Sequence, residues 1–296
     1  MCRLSLLVLL LLFSFLAHGQ NLLERFDSHN VHDSYDWRGF IHYEDNQIDD
    51  FEQYCIDNKE LELERQAIAD ARSHSILAKG FHSHVKFVDL NNDQLADVIY
   101  TGPRAGYDMQ VVAIFVREAN TFRRVFSGAQ SIFKIEWERE KLSKIYVSNW
   151  GCCADPLLTR TIYDVTYSSN NIPVFTKKER YSELRVDIEK PKSYLKTPIR
   201  FEVKNEEYKL RLSPKIDETT EYYELDATGN TIFKMTKGAT GTAYGTAEDE
   251  TGRVWWYVAM DADTRHREGI TLFPKSHHII GWLSSRYVTI IDEIKN

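Results

Sequence analysis

Residues 84–102 read HVKFVDLNNDQLADVIYTG, an apolar strand-like run that breaks into Asp-x-Asn-x-Asp-x-x-x-Asp and resumes as Val98-Ile99-Tyr100. Two strands joined by an oxygen-rich loop are implied, because Val, Ile, Phe and Tyr favour a pleated, half-buried surface whereas Asp and Asn favour turns. The same texture continues outward. SIFKIEWERE, LSKIYVSNW, RTIYDVTYSS and IPVFTKKERY follow MQVVAIFVRE and TFRRVFSG, each run ending at Gly, Asn, Asp, Pro or a charged turn. Together with HVKFVD and ADVIYTG they predict eight short strands between 84 and about 180, joined as successive antiparallel hairpins. They form either two blade-like four-stranded units, with a loose period of about 45 residues, or one sandwich.

Upstream, residues 20–57 are acidic and read as irregular, while NKELELERQAIADARSHSIL predicts one helix over about 59–74, capped by Asn58. The chain opens with Met1-Cys2-Arg3 and an uncharged run from Leu4 to Leu16, then Ala17-His18-Gly19. That pattern is a secretory leader, short of the roughly 20 residues a membrane span needs. The expectations are a secreted or periplasmic protein and no transmembrane span. A formal net charge of -7 argues against a nucleic-acid partner, which would require a basic face.

Of the four cysteines, Cys2 lies in the leader, which leaves Cys55, Cys152 and Cys153 as disulfide candidates in an oxidising compartment. Either Cys55 bridges one member of the pair, or Cys152 and Cys153 bridge each other at the cost of a distorted peptide. The long-range bridge is favoured on geometry.

Numbered from Asp89, side-chain oxygens recur at Asp89, Asn91, Asp93 and Asp97, with the Leu95 carbonyl available between the last two. Calcium takes about six to eight oxygens, and alternating oxygen side chains on a tight loop can converge on one point. The competing reading is a metal-free turn, since Asp and Asn also cap their own backbone. Calcium, structural in role, is the reading taken forward.

Val88-Asp89-Leu90-Asn91-Asn92-Asp93 and Leu95-Ala96-Asp97-Val98-Ile99 resemble the strand-loop-strand calcium sites of FG-GAP and VCBS repeats. The resemblance implies Asp89, Asn91, Asp93 and Asp97 as ligands and Leu95 as a backbone ligand. Gln94 stands where that family has glycine, at a turn position that favours φ > 0.

Beyond SELRVDIEKPKSYLKTP, with Pro191 and Pro198, four further stretches recur in a known order: YKLRLSPK at 208–215, MTKGATGTAYG at 235–245, RVWWYVAM at 253–260 and IIGWLSSRYVTII at 279–291. They resemble a bacterial SH3-like (SH3b) domain, with Leu210, Pro214, Gly238, Trp256, Val258, Gly281, Trp282 and Tyr287 in the matching places. Leu212 departs from the family's opening, and DADTRHREGITLFPKSHH at 261–278 is an insertion. The resemblance implies a small β-barrel that recognises a peptide or cell-wall component. The resemblance implies Trp255, Tyr257 and Tyr287 as contacts; alternation along Val254 to Val258 puts Trp255 and Trp256 on opposite faces, one for the core and the other for contact.

The fold expected is therefore mainly β: a leader (1–19), an acidic segment with one helix (20–78), a propeller-blade-like or sandwich region (79–185), a linker (186–199) and an SH3-like barrel (200–296). A non-catalytic binding or scaffold protein of the bacterial envelope fits these modules. The alternative is an unrecognised cell-envelope hydrolase. Against it, Cys152 has neither a visible helix N-terminus nor a neighbouring histidine to lower its pKa. His82 and His84, and His277 with His278, lack a third ligand at a recognisable spacing. Asp49-Asp50 reads as acidic surface.

Overall fold

The computed structural model describes residues 22–27, 45–58, 84–103, 110–149, 156–186, 188–264, 266–269, 273–274 and 276–293. It is mainly β, and the chain divides into two compact units, 31–185 and 186–296, the latter joined by 1–30.

In the first unit, β1 (Val85–Val88), β2 (Asp97–Pro103), β3 (Gln110–Glu118) and β4 (Thr121–Gly128) form a four-stranded antiparallel meander. A second meander follows in β5 (Ser131–Glu138), β6 (Lys141–Asn149), β7 (Leu157–Tyr167) and β8 (Pro173–Leu184). All eight strand runs read from the sequence are present. The two meanders pack face to face, with Leu90, Ile99, Val112 and Ile114 from the first meeting Ile132, Ile135, Leu142, Ile145 and Val147 from the second. This is a two-sheet sandwich, the second of the two arrangements expected.

Strand pleating sends alternate residues of the first sheet to the opposite face, where Phe87, Val98, Tyr100, Ala113 and Phe115 gather. A helix covers them. It spans Asp45–Asp57 and contributes Ile48, Phe51 and Cys55 to that layer, with the Phe51 ring edge-on to Phe115 and Phe122 at 5.0 and 5.2 Å. With both faces buried, β3 needs the unbroken run Val111 to Val116 in place of an alternating one.

The helix corrects the irregular reading of residues 20–57. Its apolar residues sit three and four apart, the spacing of one helical face, but Asp, Asn and Tyr crowd around them and suggest a loop. Asp45–Asp57 is numbered α2 here, because a short helix, α1 (Leu22–Asp27), precedes it and belongs to the other unit. The acidic segment 20–78 is thus divided between units. The helix expected over 59–74, the leader, Cys152 and Cys153 lie outside the described residues.

In the second unit the strands are β9 (Ser193–Val203), β10 (Tyr208–Arg211), β11 (Glu221–Tyr222), β12 (Ala227–Thr228), β13 (Thr231–Met235), β14 (Thr240–Glu248), β15 (Val254–Met260), β16 (His266–Gly269), β17 (His278–Ser284) and β18 (Val288–Glu293). Pairing runs β18-β9-β14-β15-β17-β10-β13-β16, with β11-β12 a separate hairpin. Among the described strands no barrel closes, so the expected SH3-like barrel is an open run of strands.

Nor is 186–199 a linker, since β9 starts at Ser193 and pairs with both β14 and β18. Pro198 is tolerated there because the β9–β14 register shifts between Tyr194 and Ile199, where ladder hydrogen bonds are interrupted anyway. Pro191 packs so closely on β14 that a Cβ on Gly245 would lie 2.8 Å from its Cγ.

The core of this unit is aromatic. Trp282 is fully buried, tilted over Tyr257 at 5.2 Å, and its Nε1–H donates to the Glu189 carbonyl at 2.6 Å. Gly281 beside it admits the neighbouring strand, since a Cβ there would lie 2.8 Å from both Leu210 Cγ and Ile232 Cδ1.

Candidate functional site

Loop 89–97 is held by its own side chains. Asp89 accepts the backbone N–H groups of Asp93 (3.1 Å) and Gln94 (2.8 Å), and Asp93 accepts that of Leu95 at 2.8 Å. The turn this creates drives Asn92 and Gln94 into the left-handed region, at φ of 57° and 70°. Asparagine tolerates that conformation; glutamine does so at a cost of about 1 kcal/mol. Gln94→Gly keeps the N–H that Asp89 needs and removes the strain. The expected result is a gain of roughly 0.5–1 kcal/mol for unit 31–185 in urea denaturation.

Asp97, at the start of β2, is buried completely and ties the loop to the sheet. Its oxygens accept the Leu90 N–H at 2.9 Å and the Arg117 N–H at 2.8 Å. Burial pushes its carboxyl up to about 7, the two amide hydrogen bonds resist, and the charges of Asp93 and Asp89 add to the rise. The loop thus confines three carboxylates whose mutual repulsion a cation would relieve.

Asn91 contributes a further oxygen to the loop. It is 2% exposed, its Nδ2 donates to Asp93 Oδ2 at 2.9 Å and to the Asn171 carbonyl at 3.1 Å, and its Oδ1 is buried without a hydrogen-bond partner. Flipping the amide would set that oxygen against two acceptors, so the orientation is determined. An unpartnered buried carbonyl oxygen in a loop that carries three carboxylates suits a hard cation. The side chains do not form a ready-made cage: among the described residues no three of His, Cys, Asp and Glu converge as a metal group. Asn91 and the Leu95 carbonyl would complete the donor set, and both are oxygen ligands of the type calcium takes.

The loop is also gripped from the second sheet, by residues the sequence did not single out. Tyr167 donates its hydroxyl to the carbonyls of Leu90 (2.7 Å) and Leu142 (2.9 Å), and Leu142 N–H donates to Leu90 at 3.0 Å. Burial, and then the Asp97 charge, hold the Tyr167 phenol protonated far above its ordinary range. Asn171, in the β7–β8 turn, donates Nδ2 to the Asn91 carbonyl at 2.9 Å and accepts Lys141 Nζ at 2.6 Å. Asn92 reaches Glu140 at 3.3 Å.

The aromatic contact candidates separate. Trp255 and Tyr257 are 1% and 0% exposed, so neither offers a ligand surface; Tyr287 is 51% exposed, with the Tyr208 ring edge-on at 6.1 Å. The alternation rule fails on β15 because both faces of that strand are covered, and Trp255 through Met260 are buried without a break. Trp255 spends its Nε1–H on Asp249 at 2.9 Å, and Tyr257 accepts from Lys190 at 3.1 Å.

Among the hydrolase candidates, Cys152, Cys153 and His82 lie outside the described residues. Cys55 is buried in the α2 layer, His84 packs edge-on to Tyr100 at 6.3 Å, and Asp49 and Asp50 are exposed on α2. His278 stands 3.9 Å from Asp261, whose carboxylate is already gripped by Arg200 through two 2.7 Å bonds. Among the described residues no helix is long and apolar enough to cross a membrane. Compared with known proteins, the chain matches no family model, no curated protein and no solved structure.

Proposed function

We propose that this chain is a secreted, non-catalytic binding or scaffold protein of the bacterial envelope. In this reading unit 31–185 is stabilised by a calcium ion in loop 89–97, and unit 186–296 recognises a peptide or cell-wall component. The buried, unpartnered Oδ1 of Asn91 beside three carboxylates is the observation that supports the ion. Asp89, Asn91, Asp93 and Asp97 would hold it with their side chains and Leu95 with its carbonyl. Bound there, calcium supplies positive charge and cross-links the loop. Export rests on the apolar run from Leu4 to Leu16, and the recognition surface on the exposed Tyr287.

The test is thermal unfolding of metal-free protein with and without millimolar calcium. A ligand at about a hundred times its Kd adds about 2.7 kcal/mol to the folded state, so the transition of unit 31–185 should move upward, and Asp93→Ala should remove the increment. No shift at millimolar calcium refutes the ion. For the surface, Tyr287→Ala should lower retention on purified peptidoglycan while leaving the melting temperature in place; equal retention removes Tyr287 from the contact.

A further inference from the structure

We propose that Asn171, on the β7–β8 turn of the second sheet, is a positioning residue for calcium in loop 89–97, so that ion affinity depends on the docking of one sheet on the other. The proposal rests on the calcium reading. Asn171 and Asn91 are eighty residues apart in sequence and hold each other reciprocally: Asn91 Nδ2 donates to the Asn171 carbonyl at 3.1 Å, and Asn171 Nδ2 donates to the Asn91 carbonyl at 2.9 Å.

Each amide has only one orientation available. Lys141 Nζ carries donors alone and sits 2.6 Å from Asn171 Oδ1, which fixes that oxygen toward Lys141 and the Asn171 NH2 toward Asn91. Asn91, so gripped, turns its NH2 to Asp93 Oδ2 and the Asn171 carbonyl, and its Oδ1 is left as the buried oxygen with no donor. Lys141, Asn171 and Asn91 thus form a chain from the second sheet to the ligand. Without the Asn171 Nδ2–H on its carbonyl, the Asn91 backbone loses that tie to the second sheet, and the ordering of residue 91 would have to be supplied at the moment of binding. Partners that orient a ligand from outside the coordination shell are typically worth 10- to 100-fold in metal affinity.

Backbone conformation makes the test clean. Asn171 sits at φ 60°, which glycine adopts without strain. Asn171→Gly therefore preserves the backbone and the carbonyl that accepts from Asn91, and removes only the side-chain amide. Calcium affinity of the full chain would be measured by calorimetric titration, with the calcium-free melting temperature as control. The expected result is Kd weakened by about tenfold in Asn171→Gly, together with a small drop in the calcium-free melting temperature from the two lost hydrogen bonds. A residue of purely structural importance would give a lower melting temperature and an unchanged Kd, and that outcome overturns the proposal.

A second measurement needs no variant. By reciprocity, an ion whose affinity depends on the β7–β8 turn must stabilise that turn. Calcium should slow hydrogen exchange at Ser168 and Asn171, whose amides bond across it to Ile172 and Ser168, although neither residue is a ligand. Unchanged exchange there, in wild-type protein shown to bind calcium, overturns the coupling alone. Wild-type protein that binds no calcium overturns the ion reading and this inference together.

Discussion

Between pH 4 and pH 7 the metal-free protein is expected to lose on the order of 4 kcal/mol of unfolding free energy from unit 31–185, because Asp97 must give up its proton inside a buried site. Burial raises the Asp97 carboxyl from its usual 3.8 to about 7, the amide hydrogen bonds of Arg117 and Leu90 pull it back, and Asp93 and Asp89 push it further up. Between those two values the folded state holds a proton that the unfolded state has released. The stability contributed by protonated Asp97 is therefore complete below about pH 4 and disappears as pH rises through about 7. Glu136 slopes the other way: burial opposes its ionisation, but Lys134, Tyr146 and Lys144 hold its carboxyl below the ordinary value, so that contribution is lost on acidification instead. Asp97→Asn isolates the first effect, since it keeps the shape and removes the titration. Urea denaturation of metal-free protein from pH 4.5 to 7.5 should show the decline in wild type and a flatter profile in the variant. Calcium should restore stability most at the upper end, where the carboxylates it requires are ionised. A wild-type profile that does not fall, or a fall unchanged in Asp97→Asn, contradicts the assignment.

Trp282→Ala should cost about 3–5 kcal/mol in unit 186–296, within reach of the whole stability of a domain this size. The indole is fully buried, stacks obliquely on Tyr257, and donates to the Glu189 carbonyl. Its strand is pressed against Leu210 and Ile232 where Gly281 lets the backbones approach, so collapse around the lost ring is limited. Trp282→Phe separates the contributions: it retains most of the apolar area and leaves the Glu189 carbonyl without its donor, an expected cost of about 1–3 kcal/mol. Denaturation of this unit in both variants supplies the comparison. A loss below about 1 kcal/mol for Trp282→Ala would mean that the ring does not sit in the core.

The strands of unit 31–185 were legible because their information is local. Runs such as Val111 to Val116 are too apolar and too β-branched to be anything but buried strand, and the residues that end them are turn formers. The aspartate loop was legible for the same reason, its oxygens lying within nine positions of chain. Gln94 was also readable as a departure, and its φ of 70° is a left-handed value that glycine takes at low cost.

Three readings failed where a local rule met a tertiary exception. In α2 the apolar face of Ile48, Phe51 and Cys55 was diluted by loop-forming neighbours, and the β3–β4 aromatics that select it lie far along the chain. Pro198 looked like a linker residue until the register shift in β9 gave it a place. Trp255 and Tyr257 were assigned to an exposed face because alternation presumes one wet side; the unbroken run Trp255 to Met260 was the sign that β15 has none.

The sequence alone determined the β architecture of residues 84–184, the oxygen donors of loop 89–97 and the aromatic stock of the C-terminal core, since each depends on residue type and short spacing. Only the tertiary structure decided that Tyr167 and Asn171 grip the loop from the second sheet, that Asn91 keeps one oxygen unpartnered and that Asp97 is buried, which pushes its carboxyl above the ordinary range. Those properties arise from packing between residues as far as eighty positions apart, where no spacing along the chain encodes which side chains will meet.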